Sequence, residues 1–343
     1  MKHMLFKTLA LALPLAIGAV PARAADSAAI AAAQKEGHVV WYTTLIVNQA
    51  VLPLKAAFEK KYPGVTLDYS RNDEGPTAIR LLGEAKSGHM QADIFDGVTN
   101  NIAMRREGLL APSAIPNDAD YPAEMKDKDG YWRALLLFVF TPGFNTAMVS
   151  RAEAPKSYAD LLDPKWKGKM AWNPNSSAGA VGFVGNILTS MGEEKGMDYL
   201  RKLAAQKIVG VEASARAILD QVIAGEYPIG LMMFNHHAVI SARKGAPVDW
   251  LPMEPVPVAF DSLSLLKDAP HPAAARLLLE FLLSEEGQFV LKDADYLPAM
   301  PKAPAMMKGL RPEDGGFQAT WLRPDFVDPL TPKWAAVAKE LFR

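Results

Sequence analysis

The sequence predicts an α/β protein of two lobes, each a mostly parallel sheet flanked by helices, with strands crossing between them. Three observations predict it. Apolar extended runs alternate with helical stretches along most of the chain. At 343 residues the chain exceeds what one core usually holds. The apolar run Leu135 to Phe144 carries Thr141-Pro142-Gly143 inside it, which marks a bend or crossing segment rather than a plain sheet strand.

Taken in order, Ala28 to Lys35 reads as a short helix and Val39 to Thr43 as a buried strand rich in β-branched and aromatic residues. Ala50 to Tyr62 has helical spacing, with Leu54, Phe58 and Tyr62 on one face, and Pro63-Gly64 stops it. Val65 to Tyr69 is a second strand. Ile79 to Lys86 is a helix with Ile79, Leu82 and Lys86 near one stripe, and Ala92 to Val98 is a third strand. Past the crossing run, Tyr158 to Leu162 is a short helix and Lys169 to Trp172 a strand. Ala178 to Met191, Met197 to Gln206 and Ala215 to Ala224 are helices, and Ile229 to Phe234 is a strand. Val256 to Leu266 is extended. Pro272 to Leu291 is one long helix with Gly287 as a flaw. Pro298 to Pro304 is a proline-rich loop, and Lys333 to Phe342 closes the chain as a helix. The expected division is a leader at 1–24, lobe 1 at 25–140 with 256–310, lobe 2 at 141–255, and a C-terminal segment at 311–343 packing on the lobes.

Lys2 and Lys7, the apolar run Leu9 to Val20 and the small residues Ala22 and Ala24 around Arg23 make a cleavable secretory signal peptide. The run is about 12 residues, short of the roughly 20 that span a bilayer. The chain has no cysteine, so neither a disulfide nor a lipidated cysteine at the cleavage site is available. Losing Lys2, Lys7 and Arg23 with the leader takes the net charge from −1 to −4. Such a surface does not attract nucleic acid or anionic membrane.

Five ordered landmarks carry a family resemblance. They are Val39 to Thr43 followed by Phe58 to Val65, then Gln91 to Phe95, Gly143 to Thr146, Pro155 to Lys169, and Ala273 through Gln288. In these the chain resembles the periplasmic solute-binding proteins of ATP-driven importers, in the type II group that includes the ferric-ion-binding proteins. The resemblance implies a receptor that clamps a ligand between two hinged lobes and hands it to an ABC permease in the inner membrane. It further implies a monomer working in the periplasm, and no catalysis.

In open α/β sheets ligands sit beyond the carboxyl ends of strands. In lobe 1 this points to Tyr42, Thr43 and Thr44, to Asp73 and Glu74, and to Asp96. Tyr42 is equally readable as core, and the two acids as solvated loop charges. In lobe 2 a strand ends at Trp172 and a helix opens on Ser176, Ser177, Ala178 and Gly179. Its free N–H groups and dipole suit an anion, although an ordinary cap looks the same. Arg216 offers a guanidinium fork at the head of a helix, with Arg71 and Arg80 as substitutes; a solvated helix arginine is the alternative.

Phe234-Asn235-His236-His237 follows a strand directly. In iron-binding relatives this region carries two adjacent tyrosines that ligate Fe³⁺; His236 and His237 stand there instead. Fe³⁺ favours charged oxygen donors, while imidazole suits Zn, Cu and Ni. No His-x₃-His or Glu-x₂-His spacing supports a metal site. If the strand continued, one histidine alone would face the cleft. The expected ligand is therefore a small organic anion of carboxylate, phosphonate or sugar-phosphate type, with no cofactor. Ferric iron is the alternative. A hydrolase using Ser176 or Ser177 with His236 or His237 is a third reading, without a Gly-x-Ser-x-Gly elbow to support it.

Overall fold

The computed structural model describes residues 27–327 and 329–342, apart from the side chains of residues 177 and 178. The expected leader, residues 1–24, lies outside the described residues.

Lobe 1 opens with helix α1 (Ser27–Glu36) and strand β1 (His38–Thr43). A π-helical turn, Val47–Val51, runs into α2 (Leu52–Lys61). Then come β2 (Thr66–Arg71), α3 (Glu74–Ser87), β3 (Ile94–Gly97), α4 (Asn100–Arg106) and β4 (Leu110–Ala111). β1 lies parallel to β2, with His38 opposite Thr66, and to β3, with Trp41 opposite Ile94. Trp41, Ile94, Leu54 and Phe58 are fully buried beneath this sheet.

β5 (Arg133–Asn145) is 13 residues long and buried throughout. Residues 133–139 pair with one sheet and residues 140–145 with the other, so this strand is the physical link between lobes. Pro142 has no N–H to give a ladder. The strand passes from one sheet to the other between Val139 and Phe140, and the register shifts across Pro142, between Thr141 and Gly143.

Lobe 2 contains β6 (Met170–Trp172), a π-helical turn at Ser177–Val181, α5 (Gly182–Met191), α6 (Glu193–Ala204), β7 (Val209–Gly210), α7 (Ala215–Ala224) and β8 (Ile229–Phe234). α8 (Asn235–Arg243) and β9 (Val248–Trp250) follow. The chain returns through β10 (Val256–Leu266), antiparallel to both β3 and β5. The tail adds α9 (Pro272–Leu282), α10 (Glu285–Asp293), α11 (Pro312–Gly315), β11 (Ala319–Leu322), α12 (Pro324–Val327) and α13 (Thr331–Phe342). The main strand order is β2-β1-β3-β10-β5-β8-β6-β7, a continuous path across both lobes.

Three expected elements differ. α3 begins at Glu74 and buries Thr77 and Leu81, which leaves Ile79 73% exposed and Leu82 39% exposed. The long helix from Pro272 is two helices. Ser284 Oγ accepts from the N–H of Gly287 and restarts the chain as α10. Gly287 is no flaw there, because a Cβ on it would collide with the carbonyl oxygens of Phe281 and Leu282. Finally, the strand ending at Phe234 turns at once into α8, so both histidines lie in a helix. In the tail, β11 pairs parallel with β10, and the Trp334 ring of α13 fills the space over Gly185 of α5.

Candidate functional site

On the lobe 1 side, the sheet register builds the site. Leu263 lies opposite Asp96, so Asp261, two residues back along β10, shares a face with Asp96. Asp261 lies opposite Leu136 and Ala259 opposite Phe138, which brings Leu136 and Phe138 to that face. Asp96 and Asp261 are wholly buried. Asp96 Oδ1 accepts from the N–H and the hydroxyl of Thr44, each at 2.9 Å. Asp96 Oδ2 and both oxygens of Asp261 have no partner, although the two carboxyls are in hydrogen-bonding reach of each other. Two carboxylates cannot bond without a proton between them. Burial raises the pKa of Asp96. Burial, followed by the charges of Asp96 and Glu74, holds Asp261 well above the usual carboxyl range.

Glu74 at the head of α3 pins the loop after β3. Its carboxylate accepts from the N–H of Val98, the N–H of Thr99 at 3.2 Å and the Thr99 hydroxyl at 2.8 Å. Tyr296 closes the lobe 1 side, its hydroxyl accepting from Ile46 N–H at 3.2 Å. Burial, with the charges of Asp261 and Asp96 adding, pushes its pKa up to about 12.

On the lobe 2 side, Phe234 precedes α8 and provides no side-chain cap. His236 and His237 sit in the first turn, both buried, and none of their four ring nitrogens has a partner. The His236 ring stacks on Phe138 at 6.3 Å and on Phe234 at 5.7 Å, and lies 5.4 Å from the Tyr296 ring. His236 thus reaches the face that carries Asp96 and Asp261. Burial, then the charges of His237 and Arg216, hold the His236 pKa well below its usual value. Burial and Arg216 push His237 down to about 3. Both shifts favour the neutral imidazole.

Two strained residues flank this place. Met232, just before Phe234, has φ +56°, and Asp295, just before Tyr296, has φ +61°. Left-handed backbone at such residues costs of order 1–3 kcal/mol and clusters at functional sites. Asp295 also pairs with Arg243 of α8 at 2.7 Å, tying the two lobes at the rim.

The expected residues divide. Thr43, Thr44 and Asp96 lie together at the ends of β1 and β3, while Asn235 and His236 open α8 on the lobe 2 side. Thr43 is buried with its hydroxyl bonded to Leu45 N–H, and Asn235 donates to Leu310 O at 2.7 Å. Tyr42 is core instead: its ring lies in the packing with Leu81 and Phe95, and its hydroxyl donates to Glu84 at 2.6 Å. Arg80 lies over that ring, away from the boundary. Asp73 is exposed and paired with Arg71 at 3.0 Å. Ser176 Oγ accepts from Gly179 N–H at 3.0 Å, an ordinary cap. A Cβ on Gly179 would lie 3.9 Å from the Met232 Cβ, so this turn faces β8 rather than α8. The side chains of Ser177 and Ala178 lie outside the described ones. Arg216 divides its fork between Asp220 and the Ser241 hydroxyl, close enough to depress both histidines. Neither histidine bonds a serine among the described side chains.

Asp261, Tyr296 and Phe138 were not expected. An acid within the apolar run Val256 to Leu266 was the available signal. Among the described residues no group of three or more His, Cys, Asp or Glu side chains is placed to hold a metal ion. A cavity of about 190 Å³ is lined by Thr99, Asn100, Gly182 and Ala259 with Leu322 and Val327 of the tail. None of its lining residues is titratable.

Two lobes joined by crossing strands, with unsatisfied polar atoms gathered where they meet, define a hinged solute-binding protein. The model of the bacterial extracellular solute-binding proteins matches residues 91–326, and the chain belongs to that family. Members bind small solutes outside the cytoplasm and work with ABC transporter permeases. The chain is 25% identical over 293 residues to a putative 2-aminoethylphosphonate-binding periplasmic protein of Salmonella typhimurium, covering 82% of this chain and 81% of that one. It is 24% identical over 243 residues to an Fe(3+)-binding periplasmic protein of Serratia marcescens, covering 68% and 70%. Its fold matches the periplasmic binding protein AfuA of Actinobacillus pleuropneumoniae with fructose-6-phosphate bound. That match has a TM-score of 0.75 and 23% identity, and covers 88% of this chain and 98% of the other. No helix among the described residues is long and apolar enough to cross a membrane.

Proposed function

We propose that this protein, exported to the periplasm by its leader, captures a small anionic organic solute between lobe 1 (25–140 with 256–310) and lobe 2 (141–255) and delivers it to its permease. The solute is of carboxylate, phosphonate or sugar-phosphate type. The observation that carries this reading is the start of α8. A helix N-terminus presents N–H groups without intrahelical acceptors, and here no side chain caps them. Beside them stand two buried histidines whose ring nitrogens have no acceptor or donor. An anion offers oxygen to both sets and is favoured by the helix dipole. Arg216 supplies positive charge behind them. Relatives named for a phosphonate and a bound sugar phosphate agree with this class. Two imidazoles at this position suit an organic anion better than ferric iron, which prefers charged oxygen.

A thermal-shift screen of the mature protein against carboxylates, phosphonates and sugar phosphates tests the reading. A ligand at about 100 times its Kd stabilises by about 2.7 kcal/mol. Stabilisation by ferric complexes and by none of these anions would overturn it.

A further inference from the structure

We propose that Asp96 and Asp261 form a second subsite that binds a cationic amine on the same solute, so that the ligand is an amino-substituted anion. This rests on the anionic reading above and deepens it. The two carboxyls are fully buried on one sheet face at the lobe boundary. Three of their four oxygens accept nothing. No basic side chain forms an ion pair with either among the described residues; Arg71, the nearby cation, is paired with Asp73. Opposing acceptors in a low-dielectric site require something that donates to both. A proton shared between them satisfies one bond. An ammonium group supplies three N–H donors and a compensating charge, and so satisfies the three vacant oxygens together. A neutral hydroxyl group donates once and leaves the charge uncompensated.

An independent feature places a ligand here. His236 reaches this face from the other lobe, stacked on Phe138 and beside Tyr296, and is itself buried with both nitrogens unpartnered. Asp261 lies on β10 of lobe 1, and His236 lies in the first turn of α8 in lobe 2. A solute holding both ends therefore bridges lobe 1 to lobe 2. Glu74 and the Tyr296 hydroxyl, the other titratable groups near the pair, are already bonded to Val98, Thr99 and Ile46. Binding exchanges the shared proton for the amine, so the proton is released to solvent and charge balances.

The test is calorimetry of the mature protein with matched probes: 2-aminoethylphosphonate against propylphosphonate, and 4-aminobutyrate against pentanoate. The expected result is at least tenfold tighter binding of one aminated member over its partner at pH 7. Proton release should accompany that binding when it is repeated in buffers of different ionisation enthalpy. Asp261→Asn, a near-isosteric change, should abolish the preference. Equal affinity within a pair that binds, or a preference that survives Asp261→Asn, would overturn the subsite. Failure of all four probes together with a failed anion screen would overturn the anionic reading itself. Circular dichroism of Asp261→Asn checks its folding, and Asp96→Asn serves as the second variant.

Discussion

Across the lobe boundary, burial acts on two sets of groups in opposite senses. On lobe 1, Asp96 and Asp261 are pushed toward holding a proton. On lobe 2, His236 and His237 are pushed toward losing one. Desolvation favours the neutral form in both cases, and neutrality means protonation for a carboxyl and deprotonation for an imidazole. The same apolar surroundings therefore disfavour charge on both walls. They also make the two walls respond to pH in opposite directions, which gives a way to separate them.

The largest expected effect is on the histidine wall. A buried His with a depressed pKa binds protons less well folded than unfolded, so its stability is complete above about pH 6.5 and is lost as pH falls. With His237 at about 3, the loss at pH 5 is about 2 kcal/mol for that residue. His236 is shifted in the same direction. Urea unfolding at pH 7.5 and pH 5 should show this loss, and the double variant His236→Phe, His237→Phe should flatten it. An unchanged slope would mean that the histidines are solvated.

The carboxyl wall runs the other way. A raised carboxyl pKa gives stability that is fullest below its unfolded value and declines as pH rises through its folded value. Asp261→Asn removes the decline. It should stabilise the unliganded protein at pH 7 by about 1–3 kcal/mol, with the gain fading toward pH 4. Destabilisation at pH 7 would show that Asp261 has a charged partner in solution.

Two smaller changes sharpen where lobe 2 holds its ligand. Ser176→Ala removes the cap on Gly179 and should cost about 1 kcal/mol of stability while leaving anion affinity within twofold. A tenfold affinity loss would move the anion site from α8 to the Ser177–Val181 turn. Arg243→Ala breaks the half-exposed pair with Asp295 and should change stability by at most about 1 kcal/mol. Its effect should appear instead in the closing rate, read by stopped-flow fluorescence.

The strand and helix rhythm of both lobes was legible because the apolar runs are short and bounded by Gly and Pro. That the run Leu135 to Phe144 crosses between lobes was legible because a proline inside a buried strand has few places to go; the change of sheet falls at Val139 and Phe140, two residues before Pro142. The stripe on α3 was not, since spacing alone offers more than one face; the Glu74 bonds to the loop after β3 select Thr77 and Leu81 over Ile79. α8 was hidden because Phe234, which has no side-chain acceptor, stands at its cap position, with Asn235 already inside the helix. Asp261 was hidden in an apolar run, where its cost is visible only once Asp96 is seen beside it. Tyr42 and Asp96 lie in paired strands, and the alternation of faces sends one to the core and the other to the boundary.

The central claim, that the start of α8 receives an anion through His236 and His237, is tested most directly by NMR of ¹⁵N-histidine protein at pH 7. The chain has six histidines, and His236→Phe and His237→Phe variants assign the two of interest. The account predicts two neutral rings without ligand. Saturation with the anion found by thermal shift should move the ring nitrogens of at least one of them into a hydrogen-bonded or protonated position. Unchanged ring signals at full saturation would contradict it.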